Sequence, residues 1–334
     1  MIGVAAFLWI VPGLLALTWF VREAWLELAP GRVSILSYHR LISRAEVRTG
    51  RVRDDEPMWA CYDDVFAAQL DALAAGGFTT IDLDDWLEIR SGRRAAPARP
   101  VVLTFDDGYR SNYELAYPLL RARGLKAVIF VALEPDAHTR RQVAGIDGFL
   151  DASQLGEMAG HGISIQSHSL THRILTELDD DAIRRELGES RRRLEAIVAR
   201  PVRHFCVPRA GGDERVRRLV REAGYASSCG GRRGTATRRS DPFDLPRIAI
   251  ERDMGVDAFQ RALEPLGALS LRIAGEVKVL PARLLGARRA RALRDRLYTR
   301  HFASWFGTPR LARTLLSCGA LYAAAAIALL WTAC

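Results

Sequence analysis

Lysine is nearly missing from this chain. Lys126 and Lys278 are the only two, so almost all of the 48 basic side chains are arginines. With 39 acidic residues, they leave a formal charge of +9. The chain also lacks a zinc finger, an RNP-type segment and a helix-turn-helix pattern, so the arginine skew reads as coding bias and nucleic acid is not an expected partner. Cysteine is sparse and odd in number. Cys61, Cys206, Cys229, Cys318 and Cys334 are far apart and form no C-x-x-C pair, which excludes a disulfide framework and a cysteine zinc site. No internal repeat stands out.

Long uncharged runs are confined to the ends. Residues 1–21, MIGVAAFLWIVPGLLALTWFV, carry no charge and have the length of one bilayer crossing. They lack the basic start and small-residue cleavage site of a signal peptide, so a membrane anchor is expected, kinked at Pro12-Gly13. Residues 314–334 form a second uncharged run, rich in alanine, and a C-terminal crossing is expected there. Residues 253–313 read as a basic helical extension. Arginines from Arg283 to Arg313 alternate there with leucines and aromatics, as in an amphipathic segment lying on anionic lipid; a solvated helix face is the other reading. Two crossings put both termini on one side of the cell membrane, and the flanking arginines favour the cytoplasmic side for the central domain.

The chain is 49% hydrophobic, enough for a barrel-sized core. Between residues 31 and 252, short apolar runs alternate with helical stretches. Strands are expected at 32–40, 101–105, 126–133, 163–169 and 244–252, and helices at 63–77, 111–124 (capped by Ser111), 179–200 and 213–225. Repeated β-then-α units imply an α/β fold with a parallel sheet, closed as a distorted (β/α) barrel. Surface loops are expected at 91–100 and 230–241.

In such barrels the chemistry gathers at the carboxyl ends of the strands. One strand, VVLTF (101–105), ends on two adjacent carboxylates, Asp106 and Asp107. Like charges that close repel, and burying them without a partner costs several kcal/mol. Further on, His168-Ser169-Leu170-Thr171-His172 sets two imidazoles one helical turn apart. Alone, that pair could be capping or solvated. Joined by a carboxylate, it makes a three-ligand set for a divalent metal, leaving the second carboxylate free to take a proton.

The order TFDDG, then SHSLTH, then a proline-containing strand segment resembles the NodB-type polysaccharide deacetylases (carbohydrate esterase family 4) over roughly residues 31–252. SYHR (37–40) and the helix around Phe66–Leu70 resemble the exopolysaccharide-biosynthesis branch. The resemblance implies a distorted (β/α) barrel and metal-dependent removal of acetyl groups from sugars such as N-acetylglucosamine. It implies Asp107, His168 and His172 as ligands of a divalent metal, zinc suiting them best, and Asp106 as general base. The substrate would be an acetylated amino-sugar polymer or a lipid-linked glycan near the membrane.

Two family motifs are altered. In Phe205-Cys206-Val207-Pro208-Arg209-Ala210-Gly211, Cys206 stands where the family has an arginine that orients the base, and Arg209 where it has an aromatic. The strand 245–250 lacks the family's proton-donating histidine. Pro208, Arg209 and Arg247 are expected on the substrate side, Arg247 being also a candidate to orient Asp106. His39, on the strand that neighbours the last one in a closed barrel, is the expected replacement acid. A second hypothesis follows from these losses: a degenerate barrel that binds a polysaccharide or lipid-linked sugar without turning it over. A third, a phosphate- or nucleic-acid-binding protein, predicts basic residues around the barrel rim, whereas they cluster near the C-terminal run.

Overall fold

The computed structural model describes residues 17–28, 30–49, 59–252 and 254–285. Residues 30–263 form one compact unit. At its centre seven parallel strands close into a ring. β1 (Ser34–Tyr38) pairs with β10 (Leu245–Ala249) on one side and β5 (Pro100–Phe105) on the other. From β5 the ring runs through β6 (Val128–Val131), β7 (Ser164–Ser167), β8 (His204–Cys206) and β9 (Ser227–Arg233) back to β10. A short strand, β4 (Thr79–Thr80), pairs with the start of β5 before β6 takes over at Thr104. All these pairings are parallel: a helix-containing crossover returns the chain at each step from β4 to β9, and the connection 234–244 does so without a helix between β9 and β10.

Strands covered on both faces read as continuous apolar runs. Ser34–Tyr38 and Pro100–Phe105 are buried at every position. Ile35, Val102, Val128, Phe130, Cys206 and Leu245 pack in one cluster with Trp86 from α4 (Leu83–Ser91). Several helices begin on an aspartate whose side chain accepts the backbone N–H three residues on: Asp82, Asp151, Asp179 and Asp213 do so at 2.7–2.9 Å. Each such cap contributes about 1 kcal/mol.

Register decides which residues meet at the strand ends. Tyr38 lies opposite Phe105, so His39 and Asp106, the next residue of each strand, are neighbours. Ser167 lies opposite Phe205, which sets His168 beside Cys206.

Two local expectations are corrected. Residues 111–124 do not form one capped helix. A widened π turn, Asn112–Ala116, precedes α5 (Tyr117–Ala122), and Ser111 accepts a hydrogen bond from Leu41 N (3.2 Å) instead of capping. The stretch 230–241 is not a surface loop throughout. Its first residues belong to β9, which the ring needs between β8 and β10, and Ala236 pairs with Val33 and is fully buried.

The second unit contributes helix 17–28 and the helix Pro265–Leu285. Arg272 is buried there between Glu23 (3.3 Å) and Glu27, so each carboxylate has a counter-charge. Among the described residues no helix is long and apolar enough to cross a membrane. Of the expected anchor 1–21, residues 1–16 lie outside the described residues, and the rest opens helix 17–28, which carries Arg22, Glu23 and Glu27. The expected crossing 314–334 and the extension beyond residue 285 also lie outside them.

Trp86 is among the largest fully buried side chains of the barrel unit. Replacing it with alanine should destabilise that unit by about 3–5 kcal/mol, read as a lowered midpoint in urea denaturation.

Candidate active site

Asp106 and Asp107 follow β5 on a sharp turn. Asp107 and Gly108 both adopt left-handed backbone (φ 72° and 75°). Glycine is required at 108, where a Cβ would stand 3.1 Å from Val131 Cγ1. A non-glycine residue in that region is strained, and the turn sends the two carboxylates to different partners.

Asp106 is gripped by Arg247 through two bonds, Nη1 to Oδ1 at 2.7 Å and Nη2 to Oδ2 at 2.8 Å. Thr104 donates its hydroxyl to Leu36 O (2.7 Å) and accepts from Arg247 Nη1 (3.2 Å), so the guanidinium is itself held. Three further atoms face Asp106 Oδ2: Ser37 Oγ at 3.5 Å, Cys206 Sγ at 3.7 Å and His39 Nε2 at 3.8 Å. Burial opposes ionisation of Asp106, but Arg247 outweighs it and holds the carboxyl at about 2.

Asp107 meets the two histidines. His168 Nδ1 lies 2.7 Å from Cys206 O. A carbonyl only accepts, so Nδ1 carries the proton and Nε2 presents a lone pair. His172 Nδ1 lies 3.0 Å from Thr139 Oγ1. That hydroxyl donates to Asp136 Oδ1 (2.7 Å) and accepts from Arg209 Nη2 (3.0 Å), which leaves it accepting from His172 as well. Both Nε2 atoms therefore turn lone pairs toward Asp107 Oδ1, at 3.4 and 3.0 Å, and this buried oxygen has no hydrogen-bond partner. Three proton-free donor atoms converging in a buried place repel one another unless a cation or a proton sits among them. With protons rather than a cation among them, hydrogen bonds from His168 and His172 hold Asp107 well below the usual carboxylate range in spite of burial. Asp107, His168 and His172 form a candidate metal-binding group on chemistry that fits a divalent ion.

The histidines are not related by a helical turn, as their spacing implied. They sit on a tight loop with left-handed backbone at Ser169 and His172 (φ 69° and 63°). Glu186, on α8 (Asp180–Val198), is buried and clamps this loop by accepting from Leu170 N and Thr171 N, both at 2.9 Å.

The structure thus gathers Asp106, Asp107, His168, His172, His39 and Arg247 in one place. Of the two roles open to Arg247, the geometry fits the orienting one: its side chain is 11% exposed and bonded twice to Asp106, leaving little for a substrate. Arg209 joins the cluster through Thr139, on a left-handed residue just past the buried Pro208. His39 is more open to solvent than the two acids, the paired histidines and Arg247, its side chain 25% exposed; burial lowers its pKa against the pull of Asp106 and Asp107, and its Nδ1 has no partner. His204 is elsewhere, at the start of β8, held by Ser227 (2.8 Å) and Asp84 (3.3 Å). Sequence reasoning missed Thr139, Asp136, Ser37 and Glu186. Asp136-x-x-Thr139 is legible as a helix start, but nothing in it points to His172.

The chain has relatives among known proteins. Residues 93–228 match the family model for polysaccharide deacetylase. The chain thus carries a polysaccharide deacetylase domain. It is 26% identical over 245 residues to YxkH of Bacillus subtilis (strain 168), provisionally named a polysaccharide deacetylase, covering 73% of this chain and 81% of that one. Its fold matches the Streptococcus pyogenes deacetylase PplD (TM-score 0.61, 22% identity, 71% of this chain and 100% of that one). It also matches IcaB from Ammonifex degensii (TM-score 0.56, 19% identity, 70% and 96%). Members of this family are metal-dependent hydrolases of non-peptide carbon–nitrogen bonds that act on acetylated polysaccharides.

The Asp106–Arg247 pair makes stability pH-dependent. A carboxyl held at about 2 stabilises the fold fully above its ordinary value of 3.8. That contribution, about 2 kcal/mol, is lost as pH falls through the interval down to 2. Arg247→Ala should strand the buried charge and cost about 3 kcal/mol at pH 7, measured by urea denaturation at several pH values.

Proposed function

We propose that this deacetylase removes N-acetyl groups from an amino-sugar glycan, either a polymer or a lipid-linked unit, with Asp107, His168 and His172 holding a divalent ion, zinc by preference. The observation that carries the reading is the convergence of three proton-free donor atoms beside a carboxylate that arginine keeps ionised. Two imidazoles and one carboxylate suit zinc and leave coordination open for other groups. A divalent ion bound there supplies charge that polarises an acetyl carbonyl and acidifies water.

The protein's own residues supply the proton traffic. Asp106 is ionised at every physiological pH and accepts the proton of the attacking water. Arg247 keeps its carboxylate oriented during that transfer. His39, across from Asp106 and partly open to solvent, returns a proton to the departing nitrogen. Its lowered pKa leaves it neutral when it is idle, so it takes up its proton in the course of the reaction. Cys206 occupies the family's usual arginine position, and the guanidinium comes instead from β10. That substitution by position favours turnover over a binding-only barrel.

The same reading keeps the chain at the cell membrane, with a glycan near the bilayer, on the strength of its uncharged ends and flanking arginines; the arginines favour the cytoplasmic side. Unchanged activity after removal of residues 1–21 and 280–334 would count against that part.

Acetate release from an N-acetylglucosamine oligomer is the first test. The purified chain should release acetate with added zinc, lose that ability with a chelator, and lose at least about a hundredfold in rate on Asp106→Asn. Absence of release while zinc still binds would favour the binding-only barrel. Thr139→Val removes the group that fixes His172 and should weaken zinc binding by about 10–100-fold in chelator competition, with the fold intact.

A further inference from the structure

A second groove lies outside the cluster just described, between α5 and α7 (Ala152–Gly160), enclosing about 640 Å³. Tyr113, Glu114, Tyr117, Arg121 and Glu157 line it. The Tyr113 and Tyr117 rings stack at 5.7 Å with 24° between their planes. Tyr113 donates its hydroxyl to Glu157 Oε2 at 2.7 Å. Tyr117 is 4% exposed, and its hydroxyl has no hydrogen-bond partner. Glu114, Glu157 and Arg121 are exposed, and among the described residues none of them forms an ion pair. The backbone presenting Tyr113 is the π turn Asn112–Ala116, a costly local geometry that recurs at functional sites. A smaller groove adjoins it, sharing Glu114 and lined also by Arg110 and Ser111, which follow directly on the Asp106–Tyr109 turn.

Two carboxylates against one guanidinium make this groove locally acidic on a chain of charge +9. Stacked tyrosine faces bind the flat side of a sugar ring and attract a cation above it. A glycan that has lost its acetyl groups carries an ammonium on each amino sugar. We propose that the groove between α5 and α7 is a subsite for the deacetylated stretch of the glycan, holding its ammonium-bearing units while the reaction centre acts on acetylated ones. The proposal rests on the amino-sugar reading of the substrate. Glu114 and Glu157 meet the ammonium groups, the Tyr113 face meets a ring, and Arg121 meets hydroxyl oxygens.

The test is calorimetric binding of two hexamers that carry no acetyl group and cannot be turned over: a glucosamine hexamer and cellohexaose, which lacks the amine. The full chain should bind the glucosamine hexamer more tightly than cellohexaose, with an affinity that falls as salt rises. Tyr113→Ala and Glu157→Gln should each weaken that binding about tenfold. Tyr113→Phe, which keeps the ring, should weaken it less than Tyr113→Ala, a distinction that general loss of folding would not produce. Equal binding of the two hexamers, or unchanged affinity in Glu157→Gln together with Glu114→Gln, would overturn the proposal. Failure of the acetate assay would fall on the reaction at Asp106 and leave this binding result standing, so the two ideas fail separately.

Discussion

Two carboxylates at the end of one buried strand are the constraint around which the barrel is arranged. Neither can be buried ionised without its own positive partner. Arg247 answers for Asp106 with two bonds from β10, just beyond β1, and the paired histidines enclose Asp107. The left-handed turn at Asp107-Gly108 makes this division possible, since a regular strand end would aim neighbouring side chains according to the pleat alone. Strain at one residue is thereby converted into two chemically distinct acids, one locked by arginine and one open to a cation.

Closure of the ring makes the arrangement rigid. β1 touches both β5 and β10, so His39, Asp106 and Arg247 come from three strands that are hydrogen-bonded neighbours. A one-residue slip of register would turn Arg247 away from Asp106. The histidine loop lacks that support from the sheet and is held otherwise: Glu186 takes its backbone N–H groups, while Cys206 O and Thr139 fix the ring protons. Hydrogen bonds one layer out therefore decide which nitrogen of each imidazole faces the centre.

The altered motifs gain a physical account from this geometry. A cysteine at position 206 leaves space and no charge beside Asp106, and a guanidinium arriving from β10 fills the electrostatic need. The requirement is for a positive charge within bonding distance of Asp106, whichever strand supplies it. The absent histidine of the last strand has a neighbour of the same kind in His39 for the same reason, because a closed barrel makes first and last strands adjacent.

Much of this was legible in the linear chain. Parallel β/α alternation, the aspartate-capped helices, the acid pair after VVLTF and the histidine pair are local patterns with local causes. They determined the fold class and the identity of the cluster's main members, and the family resemblance rested on the same residues. The sequence could not reveal that Ser111 would bond to Leu41, that 230–233 would be drawn into the ring as a strand, or that Thr139 and Glu186 would brace histidines far from them in sequence. Nor could it choose between the two roles of Arg247. Those outcomes depend on distances between segments remote in the chain, and such distances exist only once the ring has closed and its register is set.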